Sequence, residues 1–241
     1  MRSVLLFISV ALLASTALAQ EFEAVSVRPN NSGGFDSHSH SDQGLLKDTN
    51  VTLRSLIATA YQIRDYQLEG PDWMGSERFD VAAKFPEALP KDREKYNAAM
   101  GTMMRKMLED RFKLAAHRGQ KTFSVYGVTV EKSGIKFKEV PEGPSRSDSD
   151  NRRYEGRAVT MARFAEYLSR NADLPILDMT GLKGFYDLNL QWFPEPKAGE
   201  TPQGPALREA MEEQLGLKLE NRKAQIDIVV VDHVEKTPTE D

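Results

Sequence analysis

Residues 51–85 read VTLRSLIATAYQIRDYQLEGPDWMGSERFDVAAKF, and residues 159–193 read VTMARFAEYLSRNADLPILDMTGLKGFYDLNLQWF. Both stretches begin with Val-Thr, continue through a helical pattern and end on an aromatic-Asp-aliphatic strand that is followed by proline. The matching threonines lie 108 residues apart, and the matching aspartates, Asp80 and Asp187, lie 107 residues apart. A repeat on this scale indicates that the architecture contains a duplicated structural unit.

Hydrophobic periodicity predicts the order β-α-β-β-α-β-β within each repeat. Thr52 and Thr160 are the expected N-caps of the first helices, because a threonine hydroxyl can accept a hydrogen bond from the first helical turn. The second helices are expected at 92–111 and 205–215, with Gly216 as the stop of the latter. Each repeat is expected to close with a hairpin, formed by KLAAHR with FSVYGVTVEK and by LKLENR with AQIDIVVVDHVEK. The predicted fold class is α+β, a tandem duplication with helices packed on mostly antiparallel sheets.

The boundaries of the repeats follow from composition. A strand at 22–27 and a turn-rich loop at 29–43 precede the first helix. The Pro, Gly, Ser and charged residues between the repeats are typical of a linker. The predicted division of the chain is a first repeat at 20–139, a linker at 140–153, a second repeat at 154–236 and a tail at 237–241.

Residues 1–19, MRSVLLFISVALLASTALA, have the pattern of a secretory signal peptide. Arg2 is followed by an apolar core, and Ala17 and Ala19 precede the expected cleavage site. The alternative is a membrane anchor, but the apolar core is shorter than the roughly 20 residues that a spanning helix needs. We therefore expect an exported protein, periplasmic or extracellular, with no transmembrane segment after cleavage.

The composition excludes several classes of protein. No cysteine occurs among the 241 residues, so the core must be held by packing without disulfides. The formal net charge is −4 with interspersed charges, which argues against the clustered basic surface of a nucleic-acid-binding protein. The sequence has no glycine-rich phosphate loop, dinucleotide fingerprint or His-Glu-x-x-His motif. We therefore predict no cofactor and no nucleic-acid partner.

The densest group of metal-ligating residues is DSHSHSD at 36–42, which contains His38, His40 and Asp42. Two imidazoles two residues apart, with flanking carboxylates, can supply ligands for Zn²⁺ or Cu²⁺. The same composition suits a solvated loop, which lacks the rigid surroundings of a catalytic centre. His38, His40 and Asp42 are therefore candidate metal ligands, and a secreted metal-dependent hydrolase is an alternative function.

Three aromatic residues, Tyr66, Trp73 and Trp192, are candidates for a binding surface, because aromatic side chains dominate recognition sites. Asp80 and Asp187 are better explained by one structural role in each repeat than by paired catalysis. Nothing in the sequence brings the two carboxylates within the roughly 5–10 Å of an acid-base pair. No residue is therefore assigned a catalytic role.

Segments spread over nearly all of the chain after residue 20 carry a resemblance to a known family. They are FEAVSVRPN, DTNVTLRSLIATAY, DYQLEGPDW, ERFDVAAK, MLEDRFKLAAHR, LDMTGLKGFYDLNLQW and EQLGLKLE. With these segments the chain resembles a secreted paralogue family of unknown function from soil acidobacteria. Fusion of similar domains to membrane peptidases of the antibiotic-sensing type implies a sensing or interaction role. More distantly, the helix-strand-strand core is similar to the short N-terminal domain of secretins and outer-membrane transport receptors, which implies docking between proteins.

These observations favour an exported, non-enzymatic binding or interaction module, for example in envelope sensing. The expected partner is an envelope protein or a peptide, captured by strand addition at an open sheet edge. The alternatives are the hydrolase with a metal at His38 and His40 and a small-molecule binder in the cleft between the repeats.

Overall fold

The computed structural model describes residues 21–34, 36–42, 44–87, 89–150, 152–170, 172–194 and 203–239. The expected signal peptide at 1–19 lies outside these residues. The described residues form two compact units: unit 1 comprises those up to Gln120 together with those from Asp227 onward, and unit 2 comprises those between Lys121 and Ile226. Within the described residues, no helix is both long enough and apolar enough to cross a membrane.

The described residues form twelve strands and four α-helices. The strands are β1 (Ala24–Pro29), β2 (His38–Asp42), β3 (Leu45–Thr52), β4 (Leu68–Glu69), β5 (Arg78–Lys84), β6 (Ala115–Val130), β7 (Lys138–Val140), β8 (Arg146–Asp150), β9 (Arg153–Val159), β10 (Ile176–Asp178), β11 (Phe185–Gln191) and β12 (Leu217–His233). The helices are α1 (Leu53–Tyr61), α2 (Arg93–Phe112), α3 (Met161–Leu168) and α4 (Leu207–Ala210), which continues as a π-helical turn at Met211–Leu215. Short 3₁₀ turns occur at Asp65–Gln67 and Asp72–Gly75. The predicted α+β class is confirmed.

In unit 1 the first sheet has the antiparallel order β1-β5-β3-β2. Helix α1 begins after Thr52, whose Oγ1 accepts a hydrogen bond from the backbone N of Ser55 at 3.1 Å, as predicted. The apolar stripe of α1 packs in one core with α2 and the sheet. Buried members of that core include Val27, Val51, Leu53, Leu56, Ile57, Phe79, Val81, Met104, Met107, Leu108 and Phe112.

In unit 2 the second sheet has the antiparallel order β7-β11-β9-β8. Thr160 begins α3 in the predicted way, because its Oγ1 accepts from the backbone N of Arg163 at 3.3 Å. The π-helical turn ends at Gly216, whose φ of 65° is left-handed, so the predicted stop is confirmed. Buried members of this core include Val128, Tyr154, Val159, Phe164, Leu168, Ile176, Leu188, Leu190, Met211 and Leu217.

A third sheet has the order β10-β6-β12-β4. Within unit 2, β10 pairs in parallel with β6, and within unit 1, β4 pairs in parallel with β12. Strands β6 and β12 are each continuous, so the two predicted hairpins were wrong. The positions where the two hairpins would have turned, residues 119–122 and Lys223, are extended, because pairing with neighbouring strands satisfies their backbone groups without a turn.

Strands β2 and β8 lie where the sequence predicted the loop at 29–43 and the linker at 140–153. Each is the last strand of its sheet, and the two read HSHSD and RSDSD. A strand without a hydrophobic face leaves no alternating pattern in the sequence. The loop prediction was therefore wrong at β2, and the linker prediction covers the strand β8.

Asp80 and Asp187 each hold a β-bulge within their own unit. In unit 1, Asp80 Oδ1 accepts from the backbone N of Asn50 at 2.9 Å and from Asn30 Nδ2 at 2.7 Å. In unit 2, Asp187 Oδ1 accepts from the backbone N of Ala158 at 3.0 Å. Asn50 and Ala158 both have left-handed φ values, 58° and 47°, where the strand register shifts. The two aspartates therefore share a structural role, as the sequence indicated.

Replacement of these aspartates is expected to destabilise the units unequally. Asp80→Ala should lower the free energy of unfolding by about 2 kcal/mol and Asp187→Ala by about 1 kcal/mol. Asp80 satisfies two half-buried donors, whereas Asp187 satisfies one exposed donor. Urea denaturation of both variants measures the difference, and equal losses would contradict this account of the bulges.

Candidate functional site

A groove in unit 1 lies between the inner face of strands β2 and β3 and the helices α1 and α2, with a volume of about 450 Å³. We call it the β2 groove. Its floor is apolar and consists of Leu46, Val51, Met100 and Met104. Its rim carries hydroxyl groups, from Ser37, Ser39, Ser41, Ser55 and Thr59. Asp48 and His38 complete the lining.

The groove is open because the edge strand above it has small side chains. Ser39 pairs with Asp48 and Ser41 pairs with Leu46 across the β2–β3 ladder, so all four side chains point to the helix side of the sheet. Under β3 and β5 that layer is filled by the apolar core. Two serines cannot fill the same depth under β2, and the space between sheet and helices therefore remains accessible there.

Asp48 is the buried polar group of the groove, with 6 % of its surface exposed. Its Oδ1 accepts a hydrogen bond from Ser39 Oγ at 2.5 Å. Burial raises the pKa of the Asp48 carboxyl, and the hydrogen bond from Ser39 lowers it by a smaller amount. Within the described part of the chain, no basic side chain pairs with this carboxyl. A buried carboxyl that faces an open groove without a cation is typical of a functional site.

Apart from that of Ser41, the hydroxyl groups of the rim donate their protons within the protein. Ser37 Oγ donates to the carbonyl of Asn50, Ser55 Oγ to that of Thr52 and Thr59 Oγ1 to that of Ser55, each at 2.8 Å. Since a hydroxyl has one proton and two lone pairs, what remains on these oxygens is acceptor capacity. The polar surface of the β2 groove is therefore suited to a ligand that donates hydrogen bonds or carries a positive charge.

Asp48→Asn is expected to raise the free energy of unfolding at pH 7 by on the order of 1 kcal/mol, because it removes a desolvated charge. Since the folded pKa is raised, the unfolded chain releases this proton at lower pH than the folded chain does. Folding of the wild type therefore becomes less favourable as the pH rises above about 4, the ordinary value for aspartate. Thermal unfolding from about pH 3 to about pH 8 measures the difference, which should vanish at the acid end. A difference that does not change with pH would contradict the desolvation of Asp48.

The corresponding place in unit 2 is filled by aromatic side chains. Counted from the bulge in each sheet, Leu46 and Asp48 of β3 correspond to Tyr154 and Gly156 of β9. A side chain at Gly156 would meet the Tyr154 ring at 2.8 Å, so the ring covers this glycine. Tyr154 is buried and occupies the space that the shorter Leu46 leaves open in unit 1.

The helix facing β8 also differs from the helix facing β2. Tyr167 of α3 and Thr59 of α1 both lie seven residues after their N-cap threonine. The Tyr167 ring packs against Tyr154 with 4.7 Å between ring centroids, and its hydroxyl donates to the carbonyl of Asp150 in β8 at 3.0 Å. Thr59 is too short for either contact. The groove is thus open in unit 1 and closed in unit 2.

Of the three aromatic residues predicted as a binding surface, Tyr66 and Trp73 belong to unit 1 and Trp192 belongs to unit 2. Tyr66 is exposed on a 3₁₀ turn, and Trp73 packs against the core of unit 1. Trp192 packs against the core of unit 2 and lines a cavity of about 390 Å³ there. Asp48 and the serines above it were not among the predicted site residues. One feature of the sequence could have indicated this site. Asp48 lies two positions after Leu46, so the alternation of side chains along β3 places an acidic residue on the buried face.

The cavity at Trp192 also contains a set of polar groups within unit 2. The Arg208 guanidinium lies over the Tyr126 ring, 4.6 Å from its centroid, and donates to the carbonyl of Leu219 at 2.7 Å. The Tyr126 hydroxyl donates to Asp173 Oδ2 at 3.2 Å. Aromatic walls with one guanidinium and one carboxylate can hold a small amphipathic molecule.

The predicted metal ligands His38 and His40 lie on β2, and His38 borders the β2 groove. The side chain of Asp42 lies outside the described residues. Among the residues that the structure describes, no three His, Asp or Glu side chains come together in an arrangement that could hold a metal ion. A metal site at His38, His40 and Asp42 therefore stays a prediction.

Comparison with known proteins places the chain in a family. No curated protein and no solved structure matches it. The model of the family described as "Protein of unknown function (DUF3738)" matches residues 54–234, which is most of the chain. The chain therefore belongs to that family.

Proposed function

We propose that the protein is an exported, non-enzymatic binding module, in which unit 1 takes up an extended segment of a partner protein by strand addition to β2. The observation that carries the proposal is the position of the β2 groove under the last strand of a sheet. Export is supported by the signal-peptide pattern of residues 1–19.

Strand addition uses two features of the β2 edge together. In the described residues, β2 has β3 as its neighbour on one side, and its other side ends the sheet. The backbone groups of such an edge can pair with an incoming segment. Since side chains of a strand alternate between its faces, every second residue of an added strand points toward the helices. The β2 groove lies on that side, so it can receive one of these side chains.

We also propose that the two units descend from a tandem duplication, of which only unit 1 keeps an open groove. The matching sheet orders, the bulges held by Asp80 and Asp187, and the N-caps Thr52 and Thr160 support it. After a duplication one copy can bind while the other is filled for stability. The Tyr154 ring in place of an open groove fits this division of roles.

The experiment that tests strand addition is selection of random peptides displayed on phage, followed by hydrogen exchange of the protein with the selected peptides. Bound peptides should protect backbone amides of β2 at residues 38–42. Heat-unfolded protein serves as the control for non-specific enrichment. Failure to enrich peptides above that control, or protection elsewhere with none in β2, would refute the proposal.

Two proline variants sharpen this test. Neighbouring residues of a strand direct their N–H groups to opposite edges. Of His40→Pro and Ser41→Pro, one therefore removes an outward N–H and the other removes a bond to β3. The variant that removes the outward N–H should lose peptide binding and keep its melting temperature. The variant that removes a hydrogen bond to β3 should have a lower melting temperature. Two variants that both bind peptides like the wild type would rule out the β2 edge.

A small-molecule site in unit 2 is the second candidate, favoured by the Arg208–Tyr126–Asp173 arrangement beside Trp192. In a Trp73→Phe variant, Trp192 is the tryptophan left to report on that cavity. A ligand of the cavity should change this fluorescence and raise the melting temperature. Aromatic carboxylates and amines are the first compounds to screen, and the absence of both effects across them would remove this candidate.

A further inference from the structure

We propose that the β2 groove selects a lysine side chain of the bound segment, with its ammonium group against Asp48. The inference rests on the proposed strand addition for the identity of the segment. The chemistry of the groove can nevertheless be measured without any peptide.

Charge is the first reason. An ionised Asp48 is an acceptor, more than nine-tenths buried, with a hydrogen bond from Ser39 Oγ at 2.5 Å on one oxygen. A neutral side chain in the groove would remove the remaining water and leave the carboxylate without a cation, which is costly in an apolar site. An ammonium group supplies the missing charge, and the lone pairs of the Ser55 and Thr59 hydroxyls can accept its other protons.

Shape is the second reason. The floor of the groove is formed by Leu46, Val51, Met100 and Met104. A lysine buries its methylene stem against such a surface while the charged end reaches a polar group. Methionine side chains are flexible enough to close around the stem. An unbranched alkyl chain that ends in a cation therefore matches both the apolar and the polar part of the lining.

Lysine fits better than arginine. A guanidinium group binds best to a carboxylate that offers both oxygens side by side. In the β2 groove one oxygen of Asp48 is already bonded to Ser39, and the other acceptors are separate hydroxyl groups. A compact ammonium with three rotatable donors suits this distribution.

Unit 2 provides the internal comparison. Gly156 stands where Asp48 stands in unit 1, and the Tyr154 and Tyr167 rings fill the space above it. That place has neither the carboxylate nor the opening. The place in unit 2 that corresponds to the β2 groove should therefore not bind an ammonium group.

The test is an NMR titration of the full mature chain labelled with ¹³C at the methionine methyl groups. The probe is n-butylammonium, the side chain of lysine without its backbone. It should shift the methyl signals of Met100 and Met104 saturably and leave Met161 and Met211 of unit 2 unchanged. n-Butanol and n-propylguanidinium should bind at least tenfold more weakly. Asp48→Asn should weaken n-butylammonium binding at least tenfold, whereas Asp36→Asn, which removes an exposed carboxylate next in sequence to the groove residue Ser37, should not.

The outcomes separate the two proposals. No saturable shift at Met100 and Met104, or equal binding by Asp48→Asn, overturns lysine selection whatever the peptide experiment shows. Selected peptides that protect β2 without any enrichment of lysine also overturn lysine selection and leave strand addition supported. Saturable n-butylammonium binding that depends on Asp48, with no peptide bound at β2, supports the ammonium site and refutes strand addition.

Discussion

The triple variant Leu46→Tyr/Asp48→Gly/Thr59→Tyr is expected to weaken peptide binding at β2 by a factor of about 30 to 700 and to remain folded. These substitutions place in unit 1 the residues found at the equivalent positions of unit 2, where the Tyr154 and Tyr167 rings close the space over Gly156 with ring centroids 4.7 Å apart. A bound side chain would then have no groove to enter and no carboxylate to meet. Loss of a buried anchor and its charge partner typically costs about 2–4 kcal/mol, which is the basis of the expected factor.

Titration calorimetry with peptides from the display selection measures this effect, and circular dichroism establishes that the variant is folded. The matched control is Asp48→Gly alone. This variant keeps the groove open, so it should retain strand addition while losing preference for lysine. A folded triple variant that binds peptides like the wild type would show that the β2 groove does not receive a side chain of the ligand.

Gly216→Ala is expected to lower the free energy of unfolding by about 3 kcal/mol. Gly216 ends the helical segment of unit 2 with a left-handed φ of 65°, and an added Cβ would overlap the carbonyl oxygen of Gly134. That neighbour is backbone, so relief requires displacement of the turn at 131–135. The turn is held by hydrogen bonds to the same region, since Glu131 N donates to the carbonyl of Gly216 at 2.9 Å. Overpacking of this kind adds to the strain of the left-handed conformation.

Gly181→Ala is the control that separates strain from overpacking. Gly181 also has a left-handed φ, 74°, but an added Cβ there would meet no atom within 4 Å. The cost at Gly181 should therefore be the conformational part alone, about 1 kcal/mol. Urea denaturation of both variants gives the two free energies. Equal losses at the two positions would mean that the contact with Gly134 is relieved without cost.

Short-range sequence signals were sufficient to predict where the helices begin and end. Thr52 and Thr160 begin α1 and α3 because each threonine hydroxyl accepts from the first helical turn, a contact that spans three residues of sequence. Gly216 ends the last helical segment for an equally local reason, its tolerance of positive φ. Elements whose cause lies within a few residues are therefore readable from sequence.

Pairing between strands that are distant in sequence could not be predicted from such short-range signals. The expected hairpin turns at 119–122 and at Lys223 lie within strands, because the backbone groups of β6 and β12 are satisfied by strands distant in sequence. Strand β2 was not predicted because pairing with β3, rather than a hydrophobic pattern, holds it in the sheet. Such elements depend on partners that sequence periodicity does not reveal.

By itself, the sequence determined the α+β class, the caps of the helices and the repeated pattern around Asp80 and Asp187, because these follow from periodicity and short-range hydrogen bonding. Only the tertiary structure decided where a site lies. Asp48 becomes a candidate binding residue because packing buries its carboxyl in a groove. Serines of the edge strand β2 and two methionines of α2 line the same groove. The matching place in unit 2 is closed by Tyr154 and Tyr167, whose contact joins a strand and a helix. Burial and groove shape arise from residues that are distant in sequence, and for that reason they appear only when the chain is folded.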